Sequence, residues 1–243
     1  MCTVSFIPSG NNFFFTSSRD EQAERPKAVL PEQYVINGRQ IIYPKDSKAG
    51  GSWIAVNELG NAAVLLNGAM SAHRPEPPYR KSRGLVLIDL ISSISSVDCF
   101  EESDFKGIEP FTVILFEDQN LLSGKWDGRM KWLESLHSNK PQIWSSVTLY
   151  DPAAIRKREN WFNDWLIQHA YPGTLDIIRF HQKGGGGDLE NGILMNRNDR
   201  LLTNSISTIR LSPKTASFRY FDLRSGETAE RSLTLQKTIS VKT

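Results

Sequence analysis

Cys2 offers the most chemistry of any residue in this sequence, because it stands directly behind the initiator methionine. Initiator Met is trimmed when the second residue is small, and the chain would then begin with a thiol and a free α-amine on one residue. An N-terminal amine titrates near ~7.7–8.0, so a useful fraction is neutral at physiological pH and can accept the thiol proton. Amine-activated N-terminal nucleophiles are an established catalytic device. The second cluster with chemistry is Arg19-Asp20-Glu21. A carboxylate can hold an ammonium or a thiol, and a guanidinium lowers a thiol pKa.

The elements between these clusters must bring them together. Cys2–Ile7 alternates, with Cys2, Val4 and Phe6 on one face, and Phe13–Ser18 is a second β run rich in aromatic and β-branched residues. Pro8-Ser9-Gly10-Asn11-Asn12 between them is a dense turn signal. A hairpin across that five-residue turn pairs Ile7 with Phe13 and Cys2 with Ser18, so Arg19 and Asp20 emerge beside the chain start.

Further β runs are expected at Tyr34–Ile36, Gln40–Tyr43 and Trp53–Val56, separated by Asn37-Gly38 and Gly50-Gly51 turns. Ala62–Asn67 is short and continuously apolar, the pattern of a strand buried on both faces. Gly84–Val97 carries Leu87, Leu90, Ile91, Ile94 and Val97 at helical spacing and predicts the first helix, with Cys99 beyond it as a small core or helix-end residue. A meander follows through Phe111–Phe116, Asn120–Trp126, Arg129–Leu133 and Gln142–Ser146. Asp151-Pro152 supplies an N-cap and a proline at the first helical position for a second amphipathic helix, whose stripe includes Arg158, Trp161, Phe162 and Trp165. Leu175–His181 predicts a short helix, and Ser205–Leu211, Ala216–Leu223 and Arg231–Val241 predict three strands. Strands, then helix, then strands indicate an α+β fold rather than a doubly wound parallel sheet.

Taken as an ordered set, several segments resemble the NRDE-domain family, also called the transport and Golgi organisation family. They are Met1-Cys2-Thr3, Ser18-Arg19-Asp20-Glu21 (Asn-Arg-Asp-Glu in the family), Arg25-Pro26, Gly50–Ala55, Ala63–Asn67 and Trp144–Tyr150. The resemblance spans roughly residues 1–225. That family is similar in turn to cysteine N-terminal nucleophile hydrolases, which implies a four-layer αββα sandwich over one domain, 1–243, and cleavage of linear, non-peptide amide bonds of a small molecule. Carried over by motif, Cys2 is the nucleophile, Arg19 and Asp20 its paired partners, and Asn67 the oxyanion or substrate-positioning residue. Ser18 replaces the family's asparagine, Ser146 occupies the place of a second asparagine of those hydrolases, and their late arginine has no assigned counterpart. The alternative implied by the resemblance is a non-catalytic binding or trafficking protein for haem, acyl-CoA or another hydrophobic ligand on the same fold.

Composition narrows the partners. With 29 basic and 27 acidic residues the net charge is only +2, which predicts no strong field toward nucleic acid or a membrane surface. Two cysteines suit a reducing compartment better than a disulfide scaffold, and with no transmembrane run or secretory leader the cytoplasm is the expected location. His73, His137, His169 and His181 show no metal-ligand spacing, so neither a metal nor a cofactor is expected under the hydrolase reading. Ser71–Arg83 is a basic, proline-rich loop that could form the rim for an anionic substrate, and Gly184–Gly187 lacks the Gly-Lys-Ser/Thr ending of a phosphate loop and reads as a flexible loop or lid.

Overall fold

The computed structural model describes residues 3–239, so the expected nucleophile Cys2, and Val241 of the last expected strand, lie outside the described residues. The chain opens with β1 (Thr3–Ser9) and β2 (Asn12–Gln22), a hairpin closed by Ser9 opposite Asn12. The turn is therefore two residues long rather than five. Gly10 takes φ +55° at its first central position, as a II′-type hairpin turn requires. Pro8 stays in the strand because β10 (Gln142–Ser145), the neighbour on that side, pairs only as far as Phe6. A proline at such an edge leaves no ladder bond unmade. The consequence is a register one residue away from the expected one: Ile7 faces Phe14, and Thr3, not Cys2, faces Ser18.

Two antiparallel sheets result. In the first, the order is β10, β1, β2, β12 (Leu201–Leu211), β13 (Thr215–Asp222) and β14 (Thr228–Thr234), with the short β11 (Asn196–Arg197) pairing β12. The second is a meander in chain order: β3 (Val29–Ile36), β4 (Arg39–Lys45), β5 (Ile54–Asn57), β6 (Ala62–Asn67), β7 (Phe111–Glu117), β8 (Asn120–Trp126) and β9 (Lys131–Leu136). One core lies where the two sheets face each other, built from Val4, Phe6, Phe13, Phe15, Ile209 and Phe218 of the first and Ile54, Val56, Val64, Ile114 and Phe116 of the second. Phe6 and Phe13 tilt against Phe116 and Phe15 meets it edge-on, with centroids 4.8–6.2 Å apart. Such pairs add about 0.5–1.5 kcal/mol each beyond the area they bury.

Helices cover the outer face of each sheet. On the second sheet, α1 (Arg83–Ser92) and α2 (Ser96–Glu102) bury Leu87, Leu90, Ile91 and Phe100 against Ala63, Leu65, Val113 and Leu115. The single helix expected over Gly84–Val97 is thus two. Ser93 folds its hydroxyl onto the Leu90 carbonyl, Ser95 caps α2 by accepting from the Asp98 amide, and Ile94 between them is exposed instead of belonging to the apolar stripe. Serine hydroxyls compete with the helix for its own backbone, which explains the break. On the first sheet, α3 (Pro152–Gln168) and α4 (Thr174–Lys183) bring Phe162, Ile177 and Phe180 onto Ile7 and Phe14. Asp151 caps α3 as expected, its carboxylate accepting from the Ala154 amide at 2.7 Å.

The last expected strand also ends early. β14 stops at Thr234, and Leu235 and Ile239 turn into the inter-sheet core, with the Gln236 amide bonded to Glu58 O. The glycine run is used for close packing: a Cβ on Gly184 or Gly185 would lie under 3.0 Å from Ile193 or from Gly192 and Trp161. Its turn is closed by Gly186 N to Lys183 O and Asp188 N to Gly185 O.

Candidate functional site

Consecutive residues on a strand point to opposite faces, and this decides where the Arg19-Asp20 pair acts. Phe13, Phe15, Ser17 and Arg19 of β2 face the second sheet, while Phe14, Thr16, Ser18 and Asp20 face α3 and α4. Along the inner face the side chains change from apolar to polar toward the open end of the hairpin: Phe15 opposite Ile209, then Ser17 opposite Ser207, then Arg19 opposite Ser205.

Arg19 is 4% exposed and lines a cleft of about 550 Å³ between the ends of the two sheets. Its guanidinium donates to Asp46 at 2.7 Å and lies 4.7 Å from the centroid of the Trp53 ring. Asp46 also takes a two-point contact from Arg25 and the amides of Lys48 and Ala49. Burial alone pushes the Asp46 carboxyl up, but the Arg25 hydrogen bond, the Ala49 amide and the charges of Arg19 and Arg25 outweigh it and hold the group below the ordinary carboxylate value. Asp46 stands in the turn after β4, which the sequence marked only by its glycines.

Asn67 ends β6 on the wall of the same cleft. Its carbonyl accepts from Ser146 Oγ at 2.8 Å, and Ser146 Oγ also meets Thr148 Oγ1 at 2.9 Å. Gly68 follows at φ +80°, and a Cβ there would lie 2.6 Å from Val147 and 2.8 Å from Thr148. The Asn67-Gly68 pair is thus a turn locked onto the 146–148 loop, with Ser146 bracing the Asn67 backbone. The Asn67 side-chain oxygen is buried and has no partner among the described residues, an unmet acceptor on the cleft wall.

Asp20 lies on the other face and is 1% exposed. It accepts from the Tyr150 hydroxyl at 2.7 Å and the Thr203 hydroxyl at 2.6 Å. Tyr150 is covered in turn by the Arg158 guanidinium, 3.4 Å from the ring centroid. Arg158 is fully buried, donates to Thr3 Oγ1 and the Asn191 and Gly192 carbonyls, and has no carboxylate partner among the described residues. Sequence reading placed Arg158 only on a helix stripe. The available signal was its spacing of four from both Ala154 and Phe162, the other buried residues of that helix.

Beside this cluster, His181 is fully buried between two serines, its Nε2 and Nδ1 each 2.8 Å from the hydroxyls of Ser5 and Ser18. Burial, with the Arg158 charge second, lowers its pKa to about 3, so the imidazole is neutral. Ser18, the residue that departs from Asn-Arg-Asp-Glu, therefore serves a packed polar contact with α4. Of the four expected site residues, the structure puts Arg19 and Asn67 on one cleft and Asp20 behind the same strand, while Cys2 is outside the described residues. No group of three or more His, Cys, Asp or Glu side chains suited to a metal occurs among the described residues. No helix among them is long and apolar enough to cross a membrane.

Solved structures share this fold. A variant of conjugated bile acid hydrolase from Clostridium perfringens matches with a TM-score of 0.60 at 10% identity, covering 99% of each chain. The Caenorhabditis elegans ortholog of N-acylethanolamine-hydrolyzing acid amidase matches with a TM-score of 0.57 at 10% identity, over 86% of this chain and 92% of that one. At such identity the likeness is one of fold: two antiparallel sheets with helices, as in N-terminal nucleophile hydrolases. No curated protein sequence matches the chain. The family model for Transport and Golgi organisation 2 matches residues 1–162, a shorter span than the sequence resemblance suggested, taking in both strands of the first hairpin, Asn67, Tyr150 and Arg158. The chain belongs to the Transport and Golgi organisation 2 family.

Proposed function

We propose that this protein is an N-terminal-cysteine amide hydrolase or acyltransferase acting on a linear, non-peptide C–N bond of a small molecule, on an αββα sandwich. The observation that carries the reading is that Asn67 and Arg19 line one cleft, at the open end of the hairpin that starts the chain. The Cys2 thiol attacks the amide carbonyl carbon as the α-amine takes the thiol proton. Asn67 donates to the oxyanion of the tetrahedral intermediate, a contribution whose loss typically costs ~10²–10³ in rate. The C–N bond then breaks, the ammonium returns its proton to the leaving amine, and water or an acceptor amine releases the acyl group from the thioester. Arg19 favours the thiolate or holds substrate, and Asp20, fixed by Tyr150 and Thr203, orients the amine.

The reaction draws on no cofactor. The rival reading, a carrier of haem or acyl-CoA, finds few apolar side chains in this cleft, chiefly Ala49, Trp53 and Tyr79. The test is pH-dependent alkylation read peptide by peptide, with Cys99 as the internal control, beside amide turnover by Cys2→Ala and Cys2→Ser. Expected are a free Cys2 N-terminus, a thiol pKa well below the ~8.5 of free cysteine, and no turnover by Cys2→Ala. Unchanged turnover in that variant would remove Cys2 from the mechanism.

A further inference from the structure

We infer that the cleft takes a ligand bearing an oxyanion, a carboxylate or a phosphate, held between Lys48, Lys81 and the start of α1. The inference rests on the cleft being the substrate site but not on the chemistry at Cys2. Five cationic side chains line it: Arg19, Arg25, Lys48, Lys81 and Arg83. Against them stand Glu21, Asp46 and Glu109. Outside the cleft the basic and acidic residues are equal in number, since the chain's 29 and 27 lose five and three. The net charge that looked too small to matter is therefore concentrated at one place.

Two of the three carboxylates in the cleft are firmly committed. Asp46 is shared by Arg19 and Arg25, and Glu109 by Arg83 at 2.9 Å and His73 at 3.2 Å. Lys48 has no ion-pair partner among the described residues, and Lys81 reaches only Asp89, which is half exposed. The wall beside these lysines is the first turn of α1, where Ser82, Arg83 and Gly84 line the cleft and no acidic side chain occupies the helix start. Ser82 caps the Leu85 amide and its carbonyl takes those of Leu85 and Val86, so what this helix end offers is its dipole, which favours negative charge.

A second observation, independent of the helix, points the same way. Trp53 lines the cleft at 1% exposure, and its indole N–H has no acceptor among the described residues. A buried donor without a partner costs about 1–3 kcal/mol. The Asn67 oxygen on the same cleft is an unmet acceptor, so the case for an oxyanion rests on this donor together with the excess of cations and the uncommitted Lys48. Gly51 and Gly84 make this wall compact: a Cβ on Gly51 would lie 2.2 Å from the Gly84 backbone.

The test is calorimetric binding to the full chain of three probes with one acyl or alkyl length: N-hexanoylglycine, hexyl phosphate and neutral N-hexanoylethanolamine. We expect at least one anionic probe to bind about tenfold or more tightly than the neutral one, with the preference weakening as salt rises. The two anions separate carboxylate from phosphate recognition. Lys48→Glu with Lys81→Glu, both at the rim, should remove the preference while leaving the neutral probe's affinity unchanged. Trp53→Phe should lower anion affinity while the fold stays as stable or gains. Equal binding of neutral and anionic probes, or a preference that survives the double charge reversal, overturns the assignment. Binding of N-hexanoylglycine without cleavage would count against the hydrolase reading alone, whereas equal binding and cleavage of both amides would count against this one alone.

Discussion

Arg19 and Asp20 are adjacent in the chain and belong to two different environments. Arg19 looks into a cleft reached by solvent, where its charge is met by carboxylates with 11% and 25% exposure. Asp20 looks into a sealed layer under α3, where it is met by neutral hydroxyls and, through Tyr150, by a buried guanidinium. One strand thus separates an exchangeable electrostatic surface from a fixed one. The lesson is that the Arg-Asp pair is a single motif in sequence but two devices in space, one turned to the cleft and one held by buried hydroxyls on the strand's other face.

That contrast can be broken most sharply at Asp20. Asp20→Ala strands the hydroxyls of Tyr150 and Thr203 in a dry layer and should cost about 3–5 kcal/mol in denaturant unfolding. A loss under 1 kcal/mol would mean that the sealed side is not sealed. The next effect is the acid limb. His181 is neutral when folded with a pKa of about 3, so below the unfolded value near ~6.5 the unfolded chain binds the extra proton and stability falls with pH. The expected slope is ~1.4 kcal/mol per pH unit from about pH 6 to 4, and His181→Gln should flatten it. Asp46 on the cleft side behaves oppositely in range. Its depressed carboxyl contributes fully above the unfolded value near ~3.9 and is lost only as pH falls through the lower folded one, so Asp46→Asn should leave the pH 6 to 4 slope unchanged.

Arg19→Met should cost less stability than Asp20→Ala, about 1–2 kcal/mol, because Arg25 and two amides still hold Asp46. It should nevertheless raise the apparent pKa of Cys2 in the alkylation profile. An unmoved profile would take Arg19 out of thiol activation. Glu21→Gln is expected to be smallest, within about 0.5 kcal/mol, since its contact with Arg19 is 3.5 Å long and solvent-screened.

Much of this is legible in the amino-acid sequence. Asp151-Pro152 fixed the start of α3, because an N-cap and a proline at the first helical position act locally. The continuous apolar run Ala62–Asn67 marked a strand buried on both sides, and its residues are buried as β6 up to Leu66, because such a run is a property of the chain alone. Local signals also misled: Ser93 and Ser95 break a helix that its apolar spacing continues, and a turn signal five residues wide hid a two-residue turn. The one-residue register difference that followed is not trivial, since such a slip moves every side chain to the other face.

The sequence by itself determined that the chain is α+β, that a hairpin returns Arg19 and Asp20 to the vicinity of its first residues, and that Asn67 closes a buried strand. Only the tertiary structure decided that Arg19 and Asn67 share a cleft, that Asp46 holds Arg19, and that Tyr150 and Thr203 lock Asp20 from behind. Those partners sit 27, 130 and 183 positions away along the chain. Propensity and periodicity act over a few residues, whereas a buried charge finds its partner wherever the packing of two sheets brings one within hydrogen-bond reach.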